Sequence, residues 1–461
     1  MAQTETNKET NNSIPNVAYL LLSLTLLMAF RLLPLLKAPL SAFGYDFGFY
    51  LDAVNRAESL NLNSLSAAVG GGYNNFLFYL IHFLHLPAEA GLNFTLFLLA
   101  LLLGFTFYLA FQNKKFALFA VLLCACSIIQ AESYSMFLWK TLLALPFLVL
   151  GFKFLQEKKW LAFAISTLII LLTHRTTAII YLLTIGLYFI WQLIKAKRYK
   201  WIVGGLTTTG FLIILFLPQL KIIIQNLISN NNYFVRTGLF LPYQNLFSLL
   251  WPYLLLAIPG LYLYIKQKEQ PLWLILFGVS VLWFIFHLPF YRRILIYLDL
   301  SLIVFAAYFL STVIAKSRLP KAGVMVIVTV IVLFLSYRSA TFILAKPPLI
   351  YAEETEEIKN FNFPSGFVLA VSANDAPWLL GYINNQRLGA PGLLEDPHTY
   401  QEWIEFWNGQ NQRQFISHYP RPLYFYQRAY QLPPVGITQC LRPLTINFSE
   451  IDFSCIEKTL P

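Results

Sequence analysis

Apolar segments of about twenty residues recur along most of this chain, from residue 16 to residue 345. A segment of that length can cross a hydrocarbon core of about 30 Å as a helix, which satisfies its own backbone polar groups. We predict an all-α polytopic membrane protein with about 11 transmembrane helices and a small C-terminal α/β domain. The predicted spans are residues 16–36, 91–112, 116–132, 135–155, 159–173, 176–194, 200–218, 246–265, 271–288, 293–314 and 321–344.

Lysine runs occupy alternate loops between these segments, whereas the histidines and most acids of the membrane part occupy the other loops. The positive-inside rule places the lysine-rich loops in the cytoplasm, with the N-terminus inside and the tail outside. We expect a multi-pass protein of the bacterial plasma (inner) membrane. The five lysine-rich loops contain Lys114–Lys115, Glu157–Lys159, Lys195–Lys200, Lys266–Lys268 and Lys316–Lys321.

The net charge of +11 does not indicate a nucleic-acid partner, and we expect none. Residues 1–345 carry 25 Lys and Arg against 10 Asp and Glu, whereas residues 346–461 carry 8 against 12. The positive excess therefore belongs to short loops at a membrane surface.

The membrane part has a long first loop outside the cytoplasm. We predict a cytoplasmic tail at residues 1–15, a transmembrane catalytic domain at 16–345 and, within it, a first extracytoplasmic loop at 37–90. Segments 46–60 and 75–86 are amphipathic or too short to span, which is typical of helices lying along the interface.

The tail, residues 346–461, has the composition of a soluble domain. Segments 367–372 and 422–426 predict buried strands, and 400–407 predicts a helix. Cys440 and Cys455 both lie here and could form a disulfide if the tail is outside the cytoplasm.

Asp46 is the first candidate for chemistry, because it stands among aromatic residues and glycines just after the first span. A desolvated carboxylate there could act as a base toward an acceptor hydroxyl, or as a metal ligand. The alternative is a helix cap. Asp52, six residues later, is a supporting candidate or a solvated surface residue.

Glu132 and Lys140 flank the start of the predicted fourth span. An ammonium buried inside a span needs an anion or must extend to the interface. We expect Lys140 to meet Glu132, Asp46 or a ligand phosphate.

His174 and Arg175 form a tight hairpin with three threonines, an arrangement that can bind a phosphate. Arg292 and Arg293 form a second cationic cluster predicted at the same membrane level. The alternative for these residues is general binding of lipid headgroups.

Two further polar residues accompany the second cluster. His287 precedes the arginine pair, and Asp299 lies seven residues after Arg292, two turns away on the same helix face. We expect Asp299 to pair with Arg292 or to orient it.

The sequence does not fix a cofactor. His82 and His85 have i, i+3 spacing, but they belong to no recognised ligand string. A divalent metal and a metal-independent reaction are equally compatible with these residues.

Three segments resemble motifs of the GT-C superfamily of membrane glycosyltransferases, such as protein mannosyltransferases and aminoarabinose transferases. Asp46 within Gly44–Tyr50 matches the position of the family's catalytic carboxylate. Gly72–Tyr79 is similar to an aromatic segment later in the same loop, and Leu172–Thr177 is similar to the hairpin that approaches the donor phosphate.

The resemblance implies transfer of a sugar from a polyprenyl-phosphate-linked donor to a lipid, glycan or protein acceptor at the extracytoplasmic surface. In that hypothesis Asp46 is the base, and positive residues stabilise the departing phosphate. Membrane lipids are the other expected partners. The phosphate-binding candidates are Lys140, His174, Arg175, Arg292 and Arg293.

Two other functions compete with this hypothesis. A flippase-type transporter would place charges at the bilayer midplane and consist of two related halves, whereas here the charges are one-sided and no repeat is visible. A polymerase of lipid-linked oligosaccharide or polysaccharide would use a similar donor at the same surface.

Overall fold

A computed structural model describes most of the chain. The described residues are 13–55, 81, 84–196, 210, 240–241, 245–317, 320–361, 364, 366–383, 387–391, 396–428, 430–432 and 434–459. Within them, the membrane part consists of helices joined mostly by short turns. These helices are α1 (Ser13–Leu32), α2 (Phe47–Asn55), α3 (Ala88–Ala110), α4 (Lys114–Cys126), α5 (Ile128–Ser135), α6 (Trp139–Gln156), α7 (Trp160–Thr173), α8 (Arg175–Ala196), α9 (Leu246–Lys266), α10 (Pro271–Ile285), α11 (Leu295–Lys316) and α12 (Lys321–Ala345).

Seven of the described helices are long and apolar enough to cross a membrane, and the bent α4–α5 pair makes an eighth if it is one span. The helices α7 and α10 are apolar but have only 14 and 15 residues. The prediction of a polytopic membrane protein is confirmed, whereas the count of 11 spans is not. The predicted span 200–218 lies outside the described residues except for residue 210.

The first loop is described in part. Part of the predicted segment 46–60 is the helix α2, which buries Phe47, Tyr50 and Leu51, and residues 56–60 lie outside the described residues. Most of the predicted segment 75–86 lies outside the described residues.

A bend of 55° separates α4 from α5, inside what the hydropathy predicts as one span. Ser127 has an extended backbone there, and its hydroxyl accepts a hydrogen bond from Gln130 N at 3.1 Å, which caps α5. A break at membrane depth is tolerated only where protein covers the freed backbone groups. All eight residues of α5 are buried, which meets that condition.

The helix α11 lies at the centre of the bundle, since most of its residues from Leu295 to Ser311 are buried. The helix α9 packs directly on it: a Cβ added to Gly260 would lie 2.0 Å from the carbonyl oxygen of Phe305. This close packing fixes the position of α11, which begins two residues after Arg293.

The tail is an α/β unit, as predicted. Its strands form one sheet in the order β2-β1-β3-β5-β4, in which β1 is parallel to β2 and β3, and β5 is antiparallel to β3 and β4. Cys440 and Cys455 form a disulfide. The strands are β1 (Phe367–Ala370), β2 (Arg387–Gly389), β3 (Leu423–Tyr426), β4 (Leu441–Pro443) and β5 (Phe448–Ile451). The helices are α13 (Ala352–Lys359), α14 (Ala376–Tyr382), α15 (Tyr400–Trp407), α16 (Gln412–Ser417) and α17 (Phe453–Thr459).

The tail packs on α2, so the first loop lies between it and the membrane helices. The rings of Phe47 and Trp378 are 5.9 Å apart, and the Tyr45 hydroxyl donates to the carbonyl of Ala373 at 3.1 Å. The backbones of α2 and α14 touch: a Cβ on Gly48 would lie 1.6 Å from the carbonyl oxygen of Pro377. The tail is therefore part of the wall around the residues that follow the first span.

Candidate active site

Asp46 is held between the membrane helices and the tail. Its backbone N–H donates to the carbonyl of Met136 at 3.4 Å. The next residue, Phe47, is fully buried, with its ring 4.9 Å from that of Phe137. A Cβ on Gly44 would lie 2.4 Å from the Cβ of Phe137. The absence of a side chain at Gly44 therefore allows the loop of Asp46 to pack closely on Phe137.

Arg293 is the charged partner of Asp46. Its Nη2 lies 3.6 Å from Oδ2 of Asp46, and the two side chains are 19% and 13% exposed. Burial raises the pKa of Asp46 above its ordinary value, while the charges of Arg293 and Lys140 offset part of that rise. Because the net direction is upward, Asp46 is a stronger base than a solvated aspartate, and Arg293 orients it.

Lys140 and Arg175 add positive charge beside this pair. Lys140 is the second residue of α6, and its Nζ lies 5.9 Å from the ring of Tyr50. It interacts electrostatically with Arg175, the first residue of α8, and with Asp46. Two helix ends thus bring cations to the loop that carries the acid.

His174 joins the same group, but as a neutral side chain. Burial, together with the nearby charges of Arg293, Lys140 and Arg175, lowers the pKa of His174 to about 3. The structure therefore changes the predicted role of His174: it offers an N–H donor and not a positive charge.

The hydrogen bonds around His174 fix its tautomer. The backbone N–H of Thr177 donates to Nδ1 at 3.3 Å, so Nδ1 is an acceptor and the proton is on Nε2. The Thr177 hydroxyl lies 2.7 Å from Nδ1 and 2.5 Å from the Tyr297 hydroxyl. Since Thr177 has one proton to give to Nδ1, Tyr297 donates to Thr177. Nε2–H points toward Thr141, at 3.4 Å.

We call these five residues the Asp46 cluster: Asp46, Lys140, His174, Arg175 and Arg293. Thr177, one of the hairpin threonines noted in the sequence, supports it, as do Tyr297 and Thr141, which the sequence did not reveal. Tyr297 follows Arg293 by four residues, a spacing that places two side chains on one side of a helix. That spacing was the available signal for Tyr297.

Two predicted members stand apart from the cluster. The guanidinium carbon of Arg292 lies 5.9 Å from the ring centroid of Tyr291, and its Nε is buried without a hydrogen-bond partner among the described residues. His287 is exposed and meets the edge of the Tyr291 ring at 4.7 Å. Neither makes a described contact with Asp46.

Glu132 belongs to a separate ion pair. Its Oε1 lies 2.8 Å from Nζ of Lys346, which also donates to Ser135 at 3.0 Å. Glu132 is therefore not the anion near Lys140, because it pairs with Lys346. Asp46, the other proposed anion, lies near Lys140.

The predicted pairing of Asp299 with Arg292 is wrong. Oδ2 of Asp299 accepts from Ser127 at 2.7 Å and from the Gln130 amide at 2.9 Å. The carboxylate is fully buried against the α4–α5 bend, in the electrostatic range of Arg31. Asp299 thus stabilises the bend, and an i+7 spacing alone could not reveal that a neighbouring helix supplies its partners.

The remaining candidates that the structure describes form no metal site. Asp52 is half-buried on α2. His82 lies outside the described residues, and His85 is exposed. Within the described ranges, no three His, Cys, Asp or Glu side chains are grouped as metal ligands.

Three acids of the tail could contact an acceptor or could serve only in the packing of turns. Asp375 is buried, with Oδ1 3.2 Å from Nε of Arg428. Asp396 accepts from the Trp403 indole at 3.3 Å and from the Tyr419 hydroxyl. Glu395 lies outside the described residues. The alternative interpretation of both aspartates as packing residues is the one the structure supports.

The helices define a polytopic membrane protein, with a half-buried polar cluster between its helix ends and a small α/β tail. The chain belongs to the EpsG family, whose model matches residues 21–347. No curated protein matches the chain. The matched region contains the whole Asp46 cluster and ends where the tail begins.

Proposed function

We propose that this protein is a membrane glycosyltransferase that moves a sugar from a polyprenyl-phosphate-linked donor to a hydroxyl of an acceptor. The observation that carries the proposal is the ion pair of Asp46 with Arg293 inside a group that also holds Lys140 and Arg175. A half-buried base beside several cations matches a reaction that removes a proton and releases a phosphate. The resemblance to the GT-C superfamily and membership of the EpsG family agree with it.

The proposed step is an inverting displacement. Asp46 takes the proton of the acceptor hydroxyl while that oxygen forms a bond to the anomeric carbon of the donor. The bond from this carbon to the phosphate oxygen breaks, and the phosphate leaves with the electron pair. Arg293 holds the carboxylate in place through its contact at 3.6 Å.

The leaving phosphate gains negative charge, and we assign its stabilisation to three members of the cluster. Lys140 and Arg175 supply positive charge, and His174 supplies a neutral donor from Nε2. We also assign Arg292, whose Nε has no hydrogen-bond partner among the described residues, to contact with the phosphate of the lipid carrier. Groups fixed before the reaction stabilise developing charge without reorganising.

A polymerase is the second candidate, and the family favours it. The EpsG family is associated with glycosyl transfer and polymerisation. A polymerase would use the same bond changes, with a lipid-linked oligosaccharide as donor and a growing glycan as acceptor. The two candidates differ in product: one added sugar, or a ladder of repeats.

The experiment uses the purified protein in lipid nanodiscs with radiolabelled polyprenyl-phosphate sugars and with lipid-linked oligosaccharide extracted from the producing cells. Release of the lipid carrier and the size of the labelled product are measured with and without chelator. A single addition supports the transferase, and a ladder supports the polymerase. No release of carrier from any of these donors would overturn both.

The orientation is also proposed: N-terminus in the cytoplasm and tail outside. The Cys440–Cys455 disulfide supports it, because disulfides persist in oxidising compartments. In intact spheroplasts, an impermeant maleimide should label these cysteines only after an impermeant reductant is added. Labelling that requires permeabilised membranes would contradict this orientation.

His174 provides a pH prediction. A neutral donor with a pKa near 3 should not titrate between about pH 5.5 and 7.5, where a solvated histidine would. The wild-type protein and His174→Gln should therefore have pH–rate profiles of the same shape in that range, measured as carrier release. His174→Ala should lose about a hundredfold in rate, as loss of one preorganised donor does elsewhere. A step near pH 6.5 that only the wild type shows would contradict the assignment.

A further inference from the structure

The order of the tail strands creates a topological switch point at the carboxyl ends of β1 and β3, a place where a crevice is expected. Strand β1 lies between its parallel neighbours β2 and β3. The chain leaves β1 toward β2, whereas it leaves β3 toward β4, which lies beyond β5 on the other side. Where connections depart in opposite directions from adjacent parallel strands, the loops diverge at the carboxyl ends, and ligands commonly bind there.

The carboxyl ends of β1 and β3 face the loop that carries Asp46. The Tyr45 hydroxyl, one residue from Asp46, donates to the carbonyl of Ala373 in the loop after β1. On the other side, Arg428 in the loop after β3 donates to the carbonyl of Leu349 at 2.8 Å. Both loops therefore lie against the chain segments that border the Asp46 cluster.

Buried polar contacts join the two loops at this end of the sheet, and two side chains of the loops are exposed. Asp375 pairs with Arg428 at 3.2 Å and accepts from the amide of Gln431 at 2.7 Å, which joins the two loops. Next in the chain to these contacts, Asn374 is exposed and Tyr430 is 70% exposed. Arg428 also donates to the Tyr430 hydroxyl at 2.6 Å, which fixes the position of that ring.

We propose that this crevice, formed by Asn374, Asp375, Arg428 and Tyr430, binds the acceptor as a glycan and presents its hydroxyl to Asp46. The inference rests on the proposed function and names the acceptor class. A sugar ring has an apolar face and hydroxyl edges, for which an exposed phenol ring and an amide are suitable contacts. The buried Asp375–Arg428 pair is the support of this site, and not its contact surface.

The test uses full-length protein in nanodiscs, with radiolabelled lipid-linked oligosaccharide extracted from the producing cells as donor and unlabelled glycan cleaved from that lipid as the added acceptor. Asn374→Ala and Tyr430→Ala are each compared with an exposed counterpart elsewhere on the tail, Asn408→Ala and Ile446→Ala. Carrier release in the absence of acceptor and glycan transfer at increasing acceptor concentration are measured separately.

Each of the two crevice variants should raise the KM for acceptor about tenfold. Carrier release without added acceptor should change far less. The two counterparts should match the wild type in both measurements. Carrier release with an unchanged acceptor KM in both crevice variants would overturn the inference and leave the proposed function standing. Absence of carrier release from the wild type would instead overturn the proposed function.

Discussion

Asp46→Asn is expected to lower glycosyl transfer by about a hundredfold to ten thousandfold, the range that a general base contributes. Asparagine has nearly the same shape and can still contact Arg293, but it cannot accept the acceptor proton. The wild-type rate should rise with pH as Asp46 loses its proton, because only the carboxylate is a base. That rise should lie above the usual range of aspartate, since burial raises the pKa of Asp46. The measurement is carrier release and product formation across pH.

Asp452→Asn is the matched control for this variant. Asp452 is on the tail, where it pairs with Arg442 at 2.5 Å, away from the Asp46 cluster. It should keep wild-type rates. Expression level and thermal unfolding of Asp46→Asn should be compared with the wild type, because Arg293 loses a charged partner. Substantial turnover by a folded Asp46→Asn protein would mean that another residue is the base.

Gly48→Ala is expected to lower the transfer rate by about a hundredfold, the order that a 1 Å displacement of a reacting group can cause. The new Cβ would meet the carbonyl oxygen of Pro377 at 1.6 Å, and backbone on both sides leaves little room to adjust. The helices α2 and α14 must therefore separate. Asp46, two residues before Gly48, would move with α2. Transfer rates in nanodiscs, together with limited proteolysis of the tail, measure both effects.

Gly278→Ala is the control, because a Cβ at that helical position meets nothing within 4 Å. A second variant, Tyr45→Phe, removes only the hydrogen bond to Ala373 and tests the same contact in a milder way. It should lower the rate less than Gly48→Ala does. Wild-type turnover by both variants would show that the tail does not hold Asp46 in place.

Hydropathy was sufficient for the class of fold because the bilayer demands long apolar helices, and most predicted spans coincide with a described helix. It failed at Ser127, where one apolar segment is two helices. The break depends on a hydroxyl that caps α5 while it donates to Asp299 on another helix. Contacts of that kind have no local signal in a sequence.

The candidate site was also predictable only in part: its residues could be selected from the sequence, but their contacts could not. The sequence selected Asp46, Lys140, His174, Arg175 and Arg293 from their charge and their predicted side of the membrane, and the structure brings these five together. It could not assign partners. Glu132 contacts Lys346, more than two hundred residues later, and this distance along the chain is closed only by tertiary packing.

The protonation state of His174 was also beyond the sequence. Its hairpin contains hydroxyls and an arginine, which suggested a charged phosphate clamp. The structure surrounds the ring with three cations and buries it, and both effects disfavour a charged imidazole. A residue type alone therefore did not define the charge that it carries.

The bend between α4 and α5 has a consequence for evolution. The helix α5 runs only from Ile128 to Ser135, and the carbonyl of Met136 just after it receives the backbone N–H of Asp46. Each residue added to a helix turns everything beyond it by about 100° and advances it by about 1.5 Å. A single insertion or deletion in α5 would therefore aim that carbonyl elsewhere. Among related sequences, length variation should spare the stretch from Ser127 to Met136 and accumulate in other connections.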